Sequence, residues 1–265
     1  ELGVRQATLM AVDEVVLLEV SRLDASGRFG DARLEMSRLD VDSDRGDLRL
    51  RADLDSGRHY ATQLSGSLVL PEAGAAGQAG AARFQAGLYG DLDTLALEVN
   101  GQAPGDVLLR LRIEGLGAPS PTWWLDVDAG PVDPRLFGAD DDVPVATELS
   151  AHGTGLRADL QGRVQRDGLE VVIAPSTLEW REQALLLEPL VLGVLDGDVR
   201  LEGRVALAGD GGDIDVEALL QGLVVRQEGQ ADLLIDGQLA AQGEPRAWQV
   251  GGRIAAERDG EQATL

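Results

Sequence analysis

Apolar and polar residues alternate strictly along several stretches of the second half of the chain, between Asp198 and Ala256. In residues 199–207 an apolar residue or a glycine holds every odd position, and charged or polar residues hold most even ones. The same design returns in residues 231–239 and 248–254. Because successive side chains of a β-strand point to opposite faces, this period of two predicts strands with one apolar and one polar face.

Strands of the same kind are predicted along the rest of the chain, with less regular alternation before Ala52 than after it. No stretch keeps a helical period over more than about two turns. Short turns rich in Gly, Asp and Pro separate the apolar runs, so we predict an all-β fold with an antiparallel meander. The additional strands are predicted at residues 48–54, 60–70, 84–88, 95–99, 107–113, 123–127, 156–164, 169–173, 178–180, 185–187, 190–194 and 214–218.

Four glycines fall on the apolar faces of these strands: Gly162, Gly203, Gly237 and Gly252. A glycine inside a strand offers no side chain for packing and weakens the strand. Its recurrence on one face therefore predicts bends or close approaches between backbones, and hence a curved sheet. The spacing between these glycines is irregular, which argues against a repeat array of fixed period.

Two stretches interrupt the strand pattern. Residues 71–80, with the sequence PEAGAAGQAG, are low in complexity and predict a flexible loop. Residues 131–144 hold three prolines and three consecutive aspartates, which predicts a loop with one helical turn around Pro134–Phe137. We therefore expect a first β part at residues 1–130, this Pro/Asp-rich loop, and a second β part at residues 145–265. Because the chain begins at Glu1, we expect it to be an internal fragment of a longer protein.

Charge and composition narrow the classes of function. The chain has 265 residues and a net charge of −23, and all of its basic residues are arginines. Such a surface repels phosphate backbones and anionic membranes, so nucleic acid is not an expected partner. The lack of cysteine excludes disulfides, thiolate metal sites and cysteine nucleophiles. No apolar run approaches the ~20 residues that a membrane-spanning helix needs.

One acidic segment has the spacing of a calcium loop. In residues 40–46, Asp40, Asp42 and Asp44 occupy alternate positions, as in loops whose carboxylates converge on a hard cation. The bidentate glutamate that such a loop needs further on is replaced by Arg51. A solvated acidic turn is the favoured interpretation, and calcium binding stays open. Residues 209–215 show a calcium-type nonapeptide pattern once, whereas such sites need stacked copies.

The sequence contains little that indicates catalysis. His59 and His152 are the two histidines, and there is no Gly-x-Ser-x-Gly nucleophile motif. Gly153-x-Gly155-x-x-Ala158 fits a loose dinucleotide template, but it precedes a predicted strand rather than a helix. The carboxylates alternate with arginines on the polar faces, which favours cross-strand charge pairs over a glycosidase site. We predict no enzyme activity, no cofactor and no metal.

The alternation leaves two architectures open. Two apolar faces can bury each other in a closed β-sandwich, or one face can stay accessible as a groove. Aromatic residues make up only 3% of the chain, so the apolar lining is mainly Leu, Val, Ala and Ile. A lining left unfilled would explain this composition, and so would the codon bias of a GC-rich genome.

The second half carries a family resemblance. Leu160–Val164 forms a Leu-x-Gly-x-hydrophobic step at the end of an amphipathic strand, and a shorter strand pair follows it. The segment LDGDVRLEGRV then ends at Val205. This order, after the proline-bearing turn at Pro134, resembles the TamB branch of the AsmA-like proteins. The resemblance covers roughly residues 131–256, and the first half resembles the family only in style.

The resemblance implies a periplasmic protein of Gram-negative bacteria whose parent chain is anchored in the inner membrane. It implies a long sheet folded over an apolar groove, called a β-taco, that conducts phospholipid acyl chains toward the outer membrane. Proteins of this branch also partner TamA, an outer-membrane barrel protein, through their C-terminal part. No terminal docking segment is visible in this sequence, so contact of these residues with TamA is in doubt.

From the pattern and the resemblance together, we predict a non-catalytic, lipid-conducting groove protein. The alternative is a periplasmic or surface β-sandwich or solenoid with a scaffolding or adhesive role, assisted by calcium. The predicted groove-lining residues are Leu160, Val164, Val199, Leu201, Val205, Leu233, Ile235, Val250 and Ile254.

Overall fold

The computed structural model of the chain describes residues 2–10, 16–70, 82–137, 143–206, 213–226, 231–244, 247–258 and 261–264. The chain divides into two compact units, Glu1–Thr147 and Glu148–Leu265. We call them unit 1 and unit 2. The described residues are almost entirely β-strand, and their one helical element is a 3-10 helix at Pro134–Phe137. The predicted all-β class and the predicted helical turn are both confirmed.

The strands follow one another as antiparallel meanders. From β1 to β9 each strand pairs with the next one in the chain, and the same holds from β11 to β18, while β10 is hydrogen-bonded to β11. The strands up to the 3-10 helix are β1 Leu2–Met10, β2 Val16–Gly30, β3 Arg33–Ser43, β4 Gly46–Asp55, β5 Ala61–Val69, β6 Arg83–Gly90, β7 Thr94–Gln102, β8 Asp106–Glu114 and β9 Thr122–Val132. Those after it are β10 Val145–Thr154, β11 Arg157–Arg166, β12 Leu169–Arg181, β13 Ala184–Val194, β14 Gly197–Ala206, β15 Ile214–Val225, β16 Leu233–Glu244, β17 Ala247–Arg258 and β18 Glu261–Thr264.

Several details of the predicted strands are wrong. Strands β1, β10 and β18 were not predicted, and β15 extends seven residues beyond the predicted end at Ala218, to Val225. The predicted breaks at Pro175 and Pro189 do not occur, because β12 and β13 continue through them. Strand β9 likewise includes Pro131, whose carbonyl accepts the Gly105 N–H at 3.0 Å.

Strands β12 and β13 tolerate their prolines because a side chain replaces the lost ladder bonds. Between the pairs Ile173–Leu192 and Leu178–Leu187 the ladder is interrupted. There the hydroxyl of Ser176 accepts the Val191 N–H at 3.0 Å and donates to the Ala174 carbonyl at 2.7 Å. The neighbouring ladders shift register at the same level, as β-bulges do. A buried serine thus keeps two long strands intact.

Few side chains of either unit are fully covered. Among the described residues, the buried apolar ones are five alanines and two leucines: Ala82, Ala103, Ala151, Ala184, Ala206, Leu187 and Leu223. No large side chain of the described residues is completely buried. In a closed sandwich the inward residues of both sheets are packed to the density of an organic crystal. The described strands do not show such a core.

One buried charge organises the end of unit 1. The carboxylate of Asp133 accepts the Arg135 backbone N–H at 3.0 Å and the Arg135 Nη2 at 2.7 Å. The hydrogen bond from the Arg135 guanidinium lowers the pKa of Asp133. Pro134 follows at the first position of the 3-10 helix, where a missing N–H is harmless.

We expect Asp133→Asn to destabilise unit 1 by about 2 kcal/mol at pH 7, the usual value of a charge-assisted hydrogen bond. Because the pKa of Asp133 is lowered in the folded state, this stability is present above about pH 4 and is lost as the pH falls through the folded pKa. Urea unfolding at pH 7 and pH 3 measures both effects. Asp53→Asn is the matched control, because Asp53 also pairs with an arginine but lies exposed, where an ion pair contributes little. Equal losses in the two variants would contradict the prediction.

Several predictions fall outside the described residues. These are the flexible loop at residues 71–80, the three aspartates at residues 140–142, and residues 209–212 of the calcium-type nonapeptide.

Candidate functional site

The apolar positions of unit 2 line up across its strands. Residues directly opposite each other in an antiparallel pair have their side chains on the same face of the sheet. One unbroken row crosses the seven strands from β11 to β17 in this way: Gly162, Ile173, Leu192, Val199, Leu220, Gly237 and Ile254. Neighbouring strands lie about 4.8 Å apart, so this row extends over roughly 29 Å.

The neighbouring rows on the same face also consist of apolar residues, so the rows together form a surface. Leu190, Leu201, Ala218 and Leu239 form one neighbouring row, and Leu185, Val205 and Ile214 belong to another. We call this surface the aliphatic face of unit 2. It is built from Leu, Val, Ile, Ala and Gly, apart from Ser176 and, at its border, Arg166, Arg258, Trp180 and Trp248.

All nine predicted lining residues lie on the aliphatic face. The strand registers bring together Leu160 and Val164 of β11, Val199, Leu201 and Val205 of β14, Leu233 and Ile235 of β16, and Val250 and Ile254 of β17. Eight of them are half-buried, whereas Val250 is 53% exposed. Their role in binding a ligand stays a prediction.

The aliphatic face is more sheltered than the opposite, polar face. Leu187 and Leu223 on the aliphatic face are 9% and 6% exposed. Leu219 and Leu234, which point to the polar face from β15 and β16, are 39% and 38% exposed. Leucine is therefore covered better in the interior of the aliphatic face, although most of that face is only half-buried and Leu169 at its border is 44% exposed.

The glycines on the aliphatic face lie against the backbone of the next strand, as predicted. A Cβ at Gly203 would lie 2.1 Å from the Asp215 carbonyl oxygen, and one at Gly252 would lie 2.1 Å from that of Gln238. Gly203 also has a φ of +137°, a conformation that side chains with a Cβ rarely adopt. Corresponding clashes occur at Gly162 and Gly237. The predicted close backbone approach is confirmed at all four glycines.

Unit 1 has an aliphatic face of the same construction. One row crosses the seven strands from β3 to β9: Leu39, Leu50, Gly66, Ala86, Val99, Leu109 and Val127. The predicted lining residues included none of these. The regular alternation at residues 48–54 and 107–113 was the signal that would have identified them.

The polar faces carry the charges, paired in two ways. Cross-strand pairs, as predicted, join Arg110 Nε to Glu98 Oε1 at 3.7 Å and Arg157 Nη1 to Glu179 Oε2 at 3.6 Å. Pairs two residues apart on one strand were not predicted, such as Arg181 Nη2 to Glu179 Oε1 at 2.6 Å. The hydrogen bond that the Arg181 guanidinium donates to the Glu179 carboxylate raises the pKa of Arg181. Because the cations of these pairs are exposed, each pair adds little stability.

Unit 1 also has cavities whose walls are mainly polar-face side chains. One of about 710 Å³ lies among Arg22, Arg38, Arg49 and Arg51 on β2, β3 and β4. The carboxylates of Asp24 and Asp40 pair with Arg22 and Arg38. A second cavity of about 900 Å³ lies between Arg83 and Pro131.

Among the described residues, no group of three or more acidic or histidine side chains is placed to hold a metal ion. Asp40 pairs with Arg38, and Asp44 accepts the Glu19 N–H at 2.8 Å. His152 Nε2 lies 3.5 Å from Asp159 Oδ2, but the Thr177 hydroxyl donates to Asp159 and not to the imidazole. A general base must lie within hydrogen-bond reach of its nucleophile, so this trio lacks that arrangement.

Comparisons of the chain with protein-family models, with curated proteins and with solved structures find no match. Within the described ranges, no helix is long and apolar enough to cross a membrane.

Proposed function

We propose that the aliphatic face of unit 2 binds phospholipid acyl chains, and that the protein conducts these chains without catalysing a reaction. The observation that carries this proposal is the unbroken row of aliphatic and glycine residues through seven strands, all seven of which are half-buried. A ligand for such a surface is long, flexible and apolar, and its recognition needs few polar contacts.

The physical reason for such a surface is the cost of hydrating an acyl chain. Each methylene group exposed to water costs ~0.8 kcal/mol, so a palmitoyl chain costs on the order of 10 kcal/mol. A continuous aliphatic surface removes most of this barrier. A surface with few aromatic rings also leaves space along which an acyl chain can slide.

The charge distribution supports the same proposal. Arginines and carboxylates on the opposite face keep that face hydrated, so each strand separates water from the apolar ligand. The net charge of −23 disfavours polyanionic ligands on the outer surface.

The setting of this activity rests on the resemblance to the TamB branch. On that basis we propose a periplasmic protein that supports outer-membrane biogenesis, with its parent chain anchored in the inner membrane. TamA is the proposed outer-membrane partner of the full-length protein.

A photo-crosslinking residue tests the proposal in cells. Placed at position 201, on the aliphatic face, it should form phospholipid adducts that mass spectrometry identifies. Placed at Leu219, on the polar face of the adjacent strand, it should not. Adducts with protein alone, or equal phospholipid adducts at both positions, would overturn the proposal. The first of these outcomes is the one expected of a scaffold or adhesin.

A further inference from the structure

The amphipathic aromatic residues concentrate at one end of the strands. In each unit, even-numbered strands end and odd-numbered strands begin at one rim of the meander, and the reverse holds at the other rim. All four tryptophans and both tyrosines of the chain lie within three residues of a strand end at the first rim. They are Tyr60, Tyr89, Trp123 and Trp124 in unit 1, and Trp180 and Trp248 in unit 2. We call the first rim of each unit its aromatic rim.

The aromatic rim of unit 1 is a connected surface. The turn after β6 donates the Leu92 N–H to the His59 carbonyl at 3.1 Å, and the Gly117 N–H of the turn after β8 reaches the Leu92 carbonyl at 3.4 Å. Three consecutive turns of this rim therefore hold one another in place.

The exposed apolar side chains of unit 1 concentrate at the same rim. Among residues 19–70, 82–137 and 143–147 of this unit, every large apolar side chain that is exposed lies here, from 38% exposure at Trp124 to 85% at Phe29. The full set is Phe29, Leu34, Tyr60, Tyr89, Leu116 and Trp124. Among the same residues, no large apolar side chain is exposed at the opposite rim, where Ala103 and Asp133 are buried.

Trp and Tyr are the residues that collect at boundaries between hydrocarbon and water, because their rings are apolar and each has one polar group. Phenylalanine lacks that group and does not follow the pattern here. Phe29 lies at the aromatic rim, whereas Phe84 and Phe137 lie nearer the opposite end of the strands. The preference for Trp and Tyr at this rim favours contact with a hydrocarbon–water boundary over packing in an apolar core.

The charged side chains beside the aromatic rim of unit 1 indicate which kind of membrane surface it suits. A cavity of about 570 Å³ opens between Tyr89 and Trp124. Its walls include Arg110 and Arg112, which suit a phosphate, and the Arg112 guanidinium lies 5.9 Å from the centre of the Trp124 ring. The carboxylates of Glu98, Glu114 and Asp126 and the aromatic faces suit an ammonium group. A zwitterionic phospholipid headgroup carries both charges.

We propose that the aromatic rim of unit 1 docks on the headgroup layer of a zwitterionic phospholipid bilayer. This inference rests on the proposed function, because unit 1 has an aliphatic face of the same construction as the proposed acyl-binding face of unit 2, and docking would place the ends of its strands at the surface from which lipid is taken. The strongly acidic chain opposes docking on anionic bilayers.

Flotation with phosphatidylcholine vesicles tests the inference on the purified chain. The wild-type protein should float with the vesicles, and replacing a third of the lipid with phosphatidylglycerol should weaken its binding. The rim variant should bind at least tenfold more weakly; it combines Tyr60→Ser, Tyr89→Ser and Trp124→Ser. The matched control should bind like the wild type; it combines Val172→Ser, Leu195→Ser and Leu234→Ser, three exposed positions of unit 2 away from its aromatic rim.

Circular dichroism checks that each variant keeps its strands. The inference is overturned if the wild-type protein stays out of the lipid fraction, if the rim variant floats like the wild type, or if vesicle binding needs another protein.

Binding of a fluorescent long-chain fatty acid tests the proposed function separately from this inference. A rim variant that keeps fatty-acid binding but does not float supports both. A wild-type protein that floats but binds no fatty acid contradicts the proposed function alone.

Discussion

Replacing Gly203 by alanine should destabilise unit 2 by about 3 kcal/mol or more. An added Cβ would lie 2.1 Å from the Asp215 carbonyl oxygen and 2.8 Å from the Val216 Cα, distances at which the backbone must move. The φ of +137° adds the strain of a conformation that costs a residue with a Cβ about 1–3 kcal/mol. Urea unfolding followed by circular dichroism measures the loss.

Gly251→Ala is the matched control for this substitution. Gly251 lies in β17 of the same unit, and a Cβ added there would have no atom within 4 Å. We expect its stability to change by less than about 0.5 kcal/mol, as for most surface substitutions. If the two alanine variants unfolded at the same urea concentration, the close approach at Gly203 would not be a constraint on the sheet.

Much of the fold follows from the alternation of side chains. The strand at residues 199–207 was predicted because its apolar residues recur with a period of two, and β14 spans Gly197–Ala206. The four glycines on the apolar face predicted close backbone contacts for the same local reason. These features depend on neighbouring residues only, so a single sequence is sufficient to predict them.

Features that depend on distant partners were predicted less well. Pro175 and Pro189 indicated strand ends, and only the three-dimensional fold places the Ser176 hydroxyl where it bonds the Val191 N–H. Alternation likewise cannot tell a closed core from an accessible face, because both have the same pattern within each strand. That distinction depends on what covers the face. In the structure, most side chains of the aliphatic face of unit 2 are half-buried.

The candidate functional site was likewise predicted only in part. The nine lining residues were placed on one face correctly, since parity along each strand and sequential pairing determine the face. The aromatic rim was not predicted. Tyr60 and Trp124 are 64 residues apart in the sequence, and only the meander brings their turns to the same rim.

Leu201→Glu should weaken the binding of a long acyl chain on the order of 50-fold. Leu201 lies in the middle of the aliphatic face, between Leu190 of β13 and Ala218 of β15. A carboxylate there needs water, so the acyl chain must withdraw from it. If about three methylene groups lose their contact at ~0.8 kcal/mol each, the loss is about 2.4 kcal/mol.

Leu219→Glu is the matched control because it makes the same change of charge and size on the polar face of the neighbouring strand. Titration of the purified wild-type protein and both variants with a fluorescent long-chain fatty acid measures directly whether the aliphatic face binds acyl chains. We expect saturable binding by the wild type and by Leu219→Glu, and much weaker binding by Leu201→Glu. Equal affinity of all three proteins, or no binding by the wild type, would contradict an acyl-binding role for the aliphatic face.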